Sequence, residues 1–176
     1  PSPTAASSIP ALARSTRLPY PTLEGFLFPD TYSFARGVTA RGIAEGMVER
    51  FKAEWEKANA GRDPGVKLDL GQAVTLASIV EKETGRPDER PRISCVFHNR
   101  LRLGMRLQTD PTVMYATMLR TGRWSRNITK ADLAAAHPYN TYTTAWLPPG
   151  PIASPGAAAL QAALAPAACK DLYFVS

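Results

Sequence analysis

The chain contains 176 residues, of which 44% are hydrophobic, so it is long enough for one globular domain with a core and too short for two. A formal net charge of +6 favours a polyanionic neighbour such as nucleic acid, an anionic membrane or the anionic cell wall, without choosing among them. No apolar run approaches the roughly 18 residues that span a bilayer, no signal peptide begins the chain, and the two cysteines and two histidines lack metal-ligand or disulfide spacing, so we expect neither a metal nor another cofactor.

The N-terminal segment is predicted to have no fold of its own. Residues 1–17, PSPTAASSIPALARSTR, are rich in Pro, Ser and Ala and contain no acidic residue, a composition typical of a disordered or linker-like arm. The folded domain is therefore expected over residues 18–176. Near its start, aromatic residues alternate with turn formers in LEGFLFPDTYSFARG, which indicates a short strand and a tight turn at Pro29 and Asp30.

Two long helices are predicted next. The first, near residues 40–58, has Thr39 as its candidate N-cap and large apolar residues at every fourth position, namely Ile43, Met47, Phe51 and Trp55. The second begins with a capping box formed by Asp69 and Gln72. Because LGQAVTLASIVEKET is apolar on nearly every side, this helix should be central and buried.

Two shorter helices should follow. One is expected to open at Pro87 or Asp88, to run through RISCVFHNRLRLG and to end at Gly104, since glycine is the usual residue just past a helix C-terminus. The other is expected to begin with Asp110 as its N-cap and Pro111 in the first helical position.

The remaining sequence combines a loop with two short helices. Thr129 is predicted to cap a helix through Ala136, and the following HPYNTYTTAWLPPGPIASPG is too rich in Pro and Gly to be regular, so it should form a long ordered loop. Ser154 and Pro155 then open a helix of alanines and leucines, and DLYFVS is predicted to close the chain as a β-strand. This order of elements predicts an α+β fold, a mainly helical core with a small β-sheet.

The glutamates at the end of the buried helix are the strongest candidates for chemistry. Glu81 and Glu83 point in directions about 200° apart on a helix, so one can face a cleft while the other faces solvent or a basic partner. A carboxyl beside an apolar wall at a helix C-terminus has a raised pKa, as a general acid requires. The alternative is an ordinary solvated helix end.

Glycoside cleavage normally uses two carboxylates, and the possible partners of Glu83 are Asp110, Asp30 and Glu24. None of them is adjacent to Glu83 in the sequence, so all three remain candidates. The simpler explanation of Asp110 is that it is the cap before Pro111.

The Pro/Gly-rich loop and the residues before Asp110 have a composition suited to binding sugars. Aromatic rings can stack on sugar rings, and amide or hydroxyl groups can bind hydroxyl and acetamido groups. Loop self-bonding through turns is the alternative explanation. The residues predicted to contact a substrate are Gln108, Asp110, Tyr139, Asn140 and Tyr142.

Five ordered motifs resemble one known family. They are LEGFLFPDTY at 23–32, LASIVEKET at 76–84, VFHNRLRLGMRLQTDPTVMY at 96–115, YNTY at 139–142 and LPPGPIASPG at 147–156. Together they resemble the YceG-like family of endolytic murein transglycosylases, over most of the chain from about Leu23 to Val175. Several motifs in the same order are much more specific than any one of them.

The resemblance implies a lysozyme-like catalytic core and a lytic reaction on peptidoglycan. In that reaction the bond between MurNAc and GlcNAc breaks within the strand, and the MurNAc 6-hydroxyl closes onto C1 to leave a 1,6-anhydro end. The second glutamate of EKET, Glu83, is implied as the single catalytic residue, which first acts as an acid and then as a base.

The resemblance also carries expectations about the parent protein and its partners. Family members resemble one another in having an N-terminal membrane helix, a LysM-like segment and a tail after the LYFV stretch, none of which this sequence contains. We therefore expect a catalytic fragment whose parent is anchored in the bacterial inner membrane, with the catalytic domain in the periplasm. Peptidoglycan glycan strands are the expected partner, and peptidoglycan synthases are a further candidate.

Other functions remain open at this stage. The chain could be a peptidoglycan-binding module without activity, or a hydrolytic muramidase that uses Glu83 and Asp110. Nucleic-acid binding is not expected, because aromatic residues do not alternate with the basic ones. The basic residues form small clusters that we expect to be mostly solvated, namely Arg86, Arg90 and Arg92, then Arg100, Arg102 and Arg106, then Arg120, Arg123 and Arg126.

Overall fold

The computed structural model describes residues 12, 13 and 16–174, and this part of the chain is built from helices and irregular loops. The predicted arm falls mostly outside the described residues. Of that arm, Leu12 and Ala13 are buried in a small cluster with Leu23 and Val48. The helices are α1 (Ala40–Ala60), α2 (Leu70–Glu83), α3 (Arg90–Arg102), α4 (Asp110–Thr121), α5 (Lys130–Ala134) and α6 (Ala157–Leu164).

Helix α2 lies at the centre of the molecule, as its apolar sequence predicts. Every residue from Ala73 to Val80 is buried, and α6 packs against α1, α2 and α3. The largest fully buried side chains of this core include Phe26, Phe51, Phe97, Leu76, Ile79 and Leu160. Because α2 is surrounded, its C-terminal residue Glu83 is held in a fixed direction by packing on several sides.

Several predicted helix ends are confirmed. The Thr39 side chain accepts a hydrogen bond from Gly42 N at the start of α1, and Asp69 with Gln72 forms the predicted capping box of α2. Thr129 caps α5, although that helix ends at Ala134 and not at Ala136.

Three other predicted helix starts are wrong, because each helix begins at a different residue. Residues 87–89 form a turn and α3 begins at Arg90. The N-cap of α4 is Thr109, and Asp110 is its first helical residue. Helix α6 starts after Gly156, later than Ser154 and Pro155 predict.

The predicted α+β fold is also wrong, since no residue of the described chain is in a β-strand. The stretch 23–28 is a turn in which Phe26 N donates to Leu23 O, with Gly25 in the left-handed region at a φ of 86°. The C-terminal stretch runs along α3, and side chains rather than a neighbouring strand satisfy its carbonyl groups. The last two residues of the predicted strand, 175 and 176, lie outside the described residues.

Two long-range connections fix the loops on the helical core. The amide of Ile152 donates to the buried Ser78 hydroxyl in the middle of α2, at 3.0 Å. A disulfide joins Cys95 of α3 to Cys169, which the sequence analysis did not expect. None of the helices described is both long and apolar enough to cross a lipid bilayer.

Candidate active site

Glu83 is the last residue of α2, and its half-buried carboxyl is bound by a loop from elsewhere in the chain. The Thr109 hydroxyl donates to Glu83 Oε2 at 2.6 Å. Thr109 stands directly before α4, so this single bond joins the end of one helix to the start of another. It leaves the other carboxyl oxygen of Glu83 available to a ligand.

The surroundings of Glu83 raise its pKa above the ordinary value for a glutamate. Burial is the largest cause, and the negative charge of Asp110 also raises the pKa, while the Thr109 hydrogen bond and the positive charge of Arg100 lower it. Because the net direction is upward, Glu83 holds its proton to a higher pH than a solvated glutamate does. Such a carboxyl can act as a general acid.

Both carboxyl oxygens of Glu81, unlike those of Glu83, accept hydrogen bonds that connect parts of the fold. Its Oε1 accepts a hydrogen bond from the Arg90 guanidinium at 2.8 Å, and its Oε2 accepts from the amide of Gly156 at 3.1 Å. The second bond satisfies an amide at the start of α6, where a negative charge is favourable. The two glutamates therefore have different partners, as the helix geometry predicts, and Glu81 faces the basic residue Arg90.

A cluster of buried threonines holds the group that binds Glu83. Thr109 N donates to Thr141 Oγ1 at 3.1 Å, Thr112 Oγ1 donates to Thr109 O at 2.7 Å, and the hydroxyls of Thr112 and Thr141 are 2.8 Å apart. The preceding residue, Gln108, is exposed and has a φ of 48°. A non-glycine residue in this left-handed region is typical of functional sites, where the surroundings determine the backbone.

Asp110 and Tyr142 form a second hydrogen-bonded pair next to Glu83. The Tyr142 hydroxyl donates to Asp110 Oδ1 at 2.6 Å. Burial, followed by this bond and the charges of Asp110 and Glu83, raises the pKa of Tyr142 to about 12. Tyr142 is therefore a neutral hydrogen-bonding group at physiological pH, and the structure brings Glu83, Asp110 and Tyr142 together.

The other candidate carboxylates have partners elsewhere. Asp30 accepts a hydrogen bond from Arg50 at 2.9 Å, and this pair lies on the surface. The charge of Glu24 acts on Tyr115 and Tyr139, whose pKa values are raised by burial first and then by Glu24. Among the three predicted partners, Asp110 is thus the one whose charge acts on Glu83.

Two of the predicted substrate contacts have mainly internal partners. Asn140 is fully buried, its amide donates to three backbone carbonyls, and its Oδ1 accepts from Tyr142 N at 2.9 Å. The Tyr139 ring packs on Tyr115 with a centroid distance of 4.9 Å. Contacts of Gln108, Asp110, Tyr139, Asn140 and Tyr142 with a substrate remain predictions.

Arg100 is a charged residue of the site that the sequence analysis missed, as it also missed the role of the threonines. Arg100 was grouped with solvated arginines, but it is buried, with 6% of its surface exposed. The signal was its place on α3, three residues after Phe97 and one before Leu101, on the apolar side of that helix. Within the part of the chain that is described, no group of three or more His, Cys, Asp and Glu side chains is arranged to hold a metal ion.

Comparison with known proteins gives a consistent result. The sequence matches the YceG-like family over residues 4–176. It is 38% identical, over 88% of its length, to an endolytic murein transglycosylase of Bacillus subtilis, and 32% identical, over 99% of its length, to an endolytic murein transglycosylase of Streptococcus pneumoniae. It also resembles the crystal structure of a YceG-like protein from Listeria monocytogenes, with a TM-score of 0.81 and 34% identity over 98% of this chain.

The matched proteins are longer than this chain. The chain spans 42% of the Bacillus relative, 31% of the Streptococcus relative and 59% of the Listeria structure.

Proposed function

Because this chain belongs to the YceG-like family, we propose that it is the catalytic part of an endolytic murein transglycosylase that cleaves peptidoglycan glycan strands. The observation that carries the proposal is the position of Glu83 at the end of a buried helix, with a raised pKa and one hydrogen bond from Thr109. Homologues named endolytic murein transglycosylase support the general activity.

In the proposed reaction Glu83 both gives and takes one proton. As an acid, it protonates the glycosidic oxygen between MurNAc and GlcNAc, so that the bond from this oxygen to C1 of MurNAc breaks. As a base, the resulting carboxylate then takes the proton of the MurNAc 6-hydroxyl while that oxygen bonds to C1. The products are a GlcNAc hydroxyl end and a 1,6-anhydro end, no water is consumed, and Glu83 regains its proton.

We propose that the neighbouring residues orient this carboxyl and bind the substrate. The Thr109 bond orients Glu83, and a well-oriented group needs little reorganisation in the transition state. Gln108, Asp110 and Tyr142 offer polar groups on the exposed side of the site, and Tyr139 an aromatic ring. We propose that Asn140 acts through the loop, because its amide holds the backbone that carries Tyr142.

A location outside the cytoplasm is part of the proposal. The disulfide between Cys95 and Cys169 supports it, since disulfides persist in oxidising compartments such as the bacterial periplasm. We propose a periplasmic catalytic domain whose parent protein is anchored in the inner membrane and works near peptidoglycan synthases. The net charge of +6 is compatible with an anionic cell wall.

Mass spectrometry of purified glycan strands after incubation with the chain tests the proposed reaction. We expect fragments ending in 1,6-anhydroMurNAc. Reducing MurNAc ends would instead support a muramidase that uses Glu83 and Asp110 with water. Binding of the strands without cleavage would support a binding module.

A further inference from the structure

We propose that Arg100 is the positioning residue of this site: it holds the segment Leu107–Thr109 against Glu83 and brings a positive charge into the surroundings of that carboxyl. The inference rests on the proposed function, because it gives Arg100 a part in the proton transfers of Glu83. It is carried by the contacts of the Arg100 guanidinium, by its burial and by the charges around it.

The guanidinium of Arg100 joins two segments that are far apart in the sequence. Its Nε donates to Leu172 O at 2.7 Å, and one terminal nitrogen donates to Leu107 O at 2.6 Å. The carbonyl of Arg100 itself accepts a hydrogen bond from Met105 N at 2.8 Å. The loop after α3 is therefore hydrogen-bonded to Arg100 at two points, Met105 and Leu107.

The loop that is hydrogen-bonded to Arg100 is connected to Glu83 through three consecutive residues. Leu107 is fully buried, Gln108 follows in the left-handed region, and Thr109 donates to Glu83 Oε2. Only one residue separates the carbonyl held by Arg100 from the residue that binds the catalytic carboxyl. A displacement of Leu107 would therefore be transmitted to the Thr109 hydroxyl.

The C-terminal segment 169–174, which we call the strap, packs against Arg100 and its helix α3. The Tyr173 ring lies 5.1 Å from the guanidinium carbon, and the Phe174 ring packs edge-on against Phe97 of α3. The disulfide at Cys169 attaches the start of the strap to the same helix. The strap thus fixes the direction in which Arg100 points.

Among the described residues, the positive charge of Arg100 is not paired with a carboxylate. Among the described residues, none of the ion pairs includes Arg100. The groups whose charges act on Glu83 are Asp110, which raises its pKa, and Arg100, which lowers it. Tyr142 also faces Glu83 but is neutral, with its pKa raised to about 12.

The direction of the expected pH effect follows from these signs. Glu83 must be protonated to act as an acid, so activity is lost as the pH rises through its pKa. Replacing Arg100 by an uncharged residue removes an influence that lowers this pKa, and the alkaline limb of the kcat/KM profile should move to higher pH. A purely structural role would lower activity at all pH values without moving the limb.

The test compares Arg100→Met and Arg100→Lys with the wild type, using release of anhydro ends as the assay. For Arg100→Met we expect kcat to fall by about 10-fold or more with KM nearly unchanged, because a misplaced catalytic group lowers the rate without removing a substrate contact. We also expect the alkaline limb of its kcat/KM profile to move to higher pH. Arg100→Lys retains the charge, so its limb should stay near that of the wild type. Arg126→Met, which removes an exposed charge that has no hydrogen-bond or ion-pair partner among the described residues, should behave like the wild type.

An NMR titration of the Glu83 carboxyl in the wild type and the same variants gives a readout that does not depend on activity. A higher Glu83 pKa in Arg100→Met than in Arg100→Lys is the expected result. The inference would be overturned if Arg100→Met had the wild-type Glu83 pKa, alkaline limb and kcat, and this result would leave the proposed function intact. Absence of anhydro ends with the wild type would refute the proposed function, and with it the part of Arg100 in catalysis. If Arg100→Met does not fold, a wild-type kcat and KM in Arg100→Lys would also overturn the inference, since lysine cannot hold both carbonyls.

Discussion

Opposing influences act on the half-buried carboxyl of Glu83. Burial and Asp110 raise its pKa, whereas Thr109 and Arg100 lower it. Each neighbour can be altered separately, and the direction of the resulting change in pKa follows from its charge or its hydrogen bond. The pH dependence of cleavage is therefore a sensitive readout of this arrangement.

Asp110→Asn should move the alkaline limb of the kcat/KM profile to lower pH. Removal of the Asp110 charge lowers the pKa of Glu83, so Glu83 loses the proton that it must donate at a lower pH. The asparagine oxygen can still accept the Tyr142 hydrogen bond, which keeps the local structure. The variant should continue to form anhydro ends, as measured by mass spectrometry across a pH series.

This experiment also separates the lytic from the hydrolytic mechanism. A muramidase in which Asp110 activates water or stabilises an intermediate would lose most of its activity in Asp110→Asn. A limb that moves to higher pH, or reducing ends in the products, would contradict the account given for Asp110.

The sequence identified part of this site but not its support. Glu83 could be selected because a carboxyl at the end of an apolar helix is unusual and because the EKET motif resembles a known family. Asp110 was predicted as a helix cap, as a possible second carboxylate and as a substrate contact, but the cap-and-proline pattern does not reveal that Tyr142 binds its carboxyl. Arg100 was missed because an arginine among other arginines suggests a solvated surface. Its partners are the backbone carbonyls of Leu107 and Leu172, and backbone carbonyls leave no signal in the sequence.

At the scale of elements, the turn at residues 23–28 and the loop at 147–156 pack against each other over α2. Gly25 has a φ of 86°, and a Cβ atom there would lie 2.3 Å from Pro151 Cγ and 3.2 Å from Val74 Cγ1. A glycine is therefore required both by the backbone conformation and by the space available. This contact brings the LEGF and LPPGPI motifs together in the structure.

Gly25→Ala should destabilise the protein by about 2–4 kcal/mol, because a left-handed residue with a side chain is strained and the methyl group overlaps Pro151. Urea unfolding measures the loss. Gly37→Ala is the matched control, since Gly37 has a similar φ of 84° but no atom within 4 Å of the added Cβ, and it should cost only roughly 1–2 kcal/mol. Equal losses for both variants would mean that the packing against Pro151 is unimportant.

The helices were more predictable than the connections between them. The period of apolar residues and the Asp69 capping box determine α1 and α2 locally, so these were predicted correctly. The two predicted strands are wrong. Their aromatic and β-branched residues, which suggested strands, belong to a turn and to the strap, and both pack on the helices. In the strap, Asn99 and Arg100 satisfy backbone carbonyls that a strand would have paired with another strand.

At the scale of the whole molecule, the fold joins distant parts of the chain at the site. Glu83 comes from α2, Thr109 from the start of α4, Tyr142 from the long loop and Arg100 from α3. The strap and the disulfide between Cys95 and Cys169, separated by 74 residues in sequence, keep α3 in place. The sequence could not predict this bond, because two cysteines far apart give no pairing signal.

Reduction of the disulfide should lower the free energy of unfolding by about 2–4 kcal/mol, since the bond closes a long loop in the unfolded chain. Urea unfolding of the wild type with and without a reductant measures this loss. In the double variant Cys95→Ser, Cys169→Ser the reductant should have no effect, which controls for its other actions. Identical midpoints for the oxidised and reduced wild type would show that the strap is held by its other contacts.

The central claim is that Glu83, and not its neighbour Glu81, transfers the protons. The most direct test is mass spectrometry of glycan strands treated with Glu83→Gln and with Glu81→Gln, alongside unfolding measurements on both. Glu83→Gln should lower the release of anhydro ends by about 10²–10⁴-fold or more while strands still bind. It should be no less stable than the wild type at neutral pH, because a group whose pKa is raised on folding costs stability once the pH exceeds its unfolded pKa. Glu81→Gln should be less stable than the wild type, because it loses the ion pair with Arg90, and it should still release anhydro ends. Wild-type release of anhydro ends by Glu83→Gln would contradict the account.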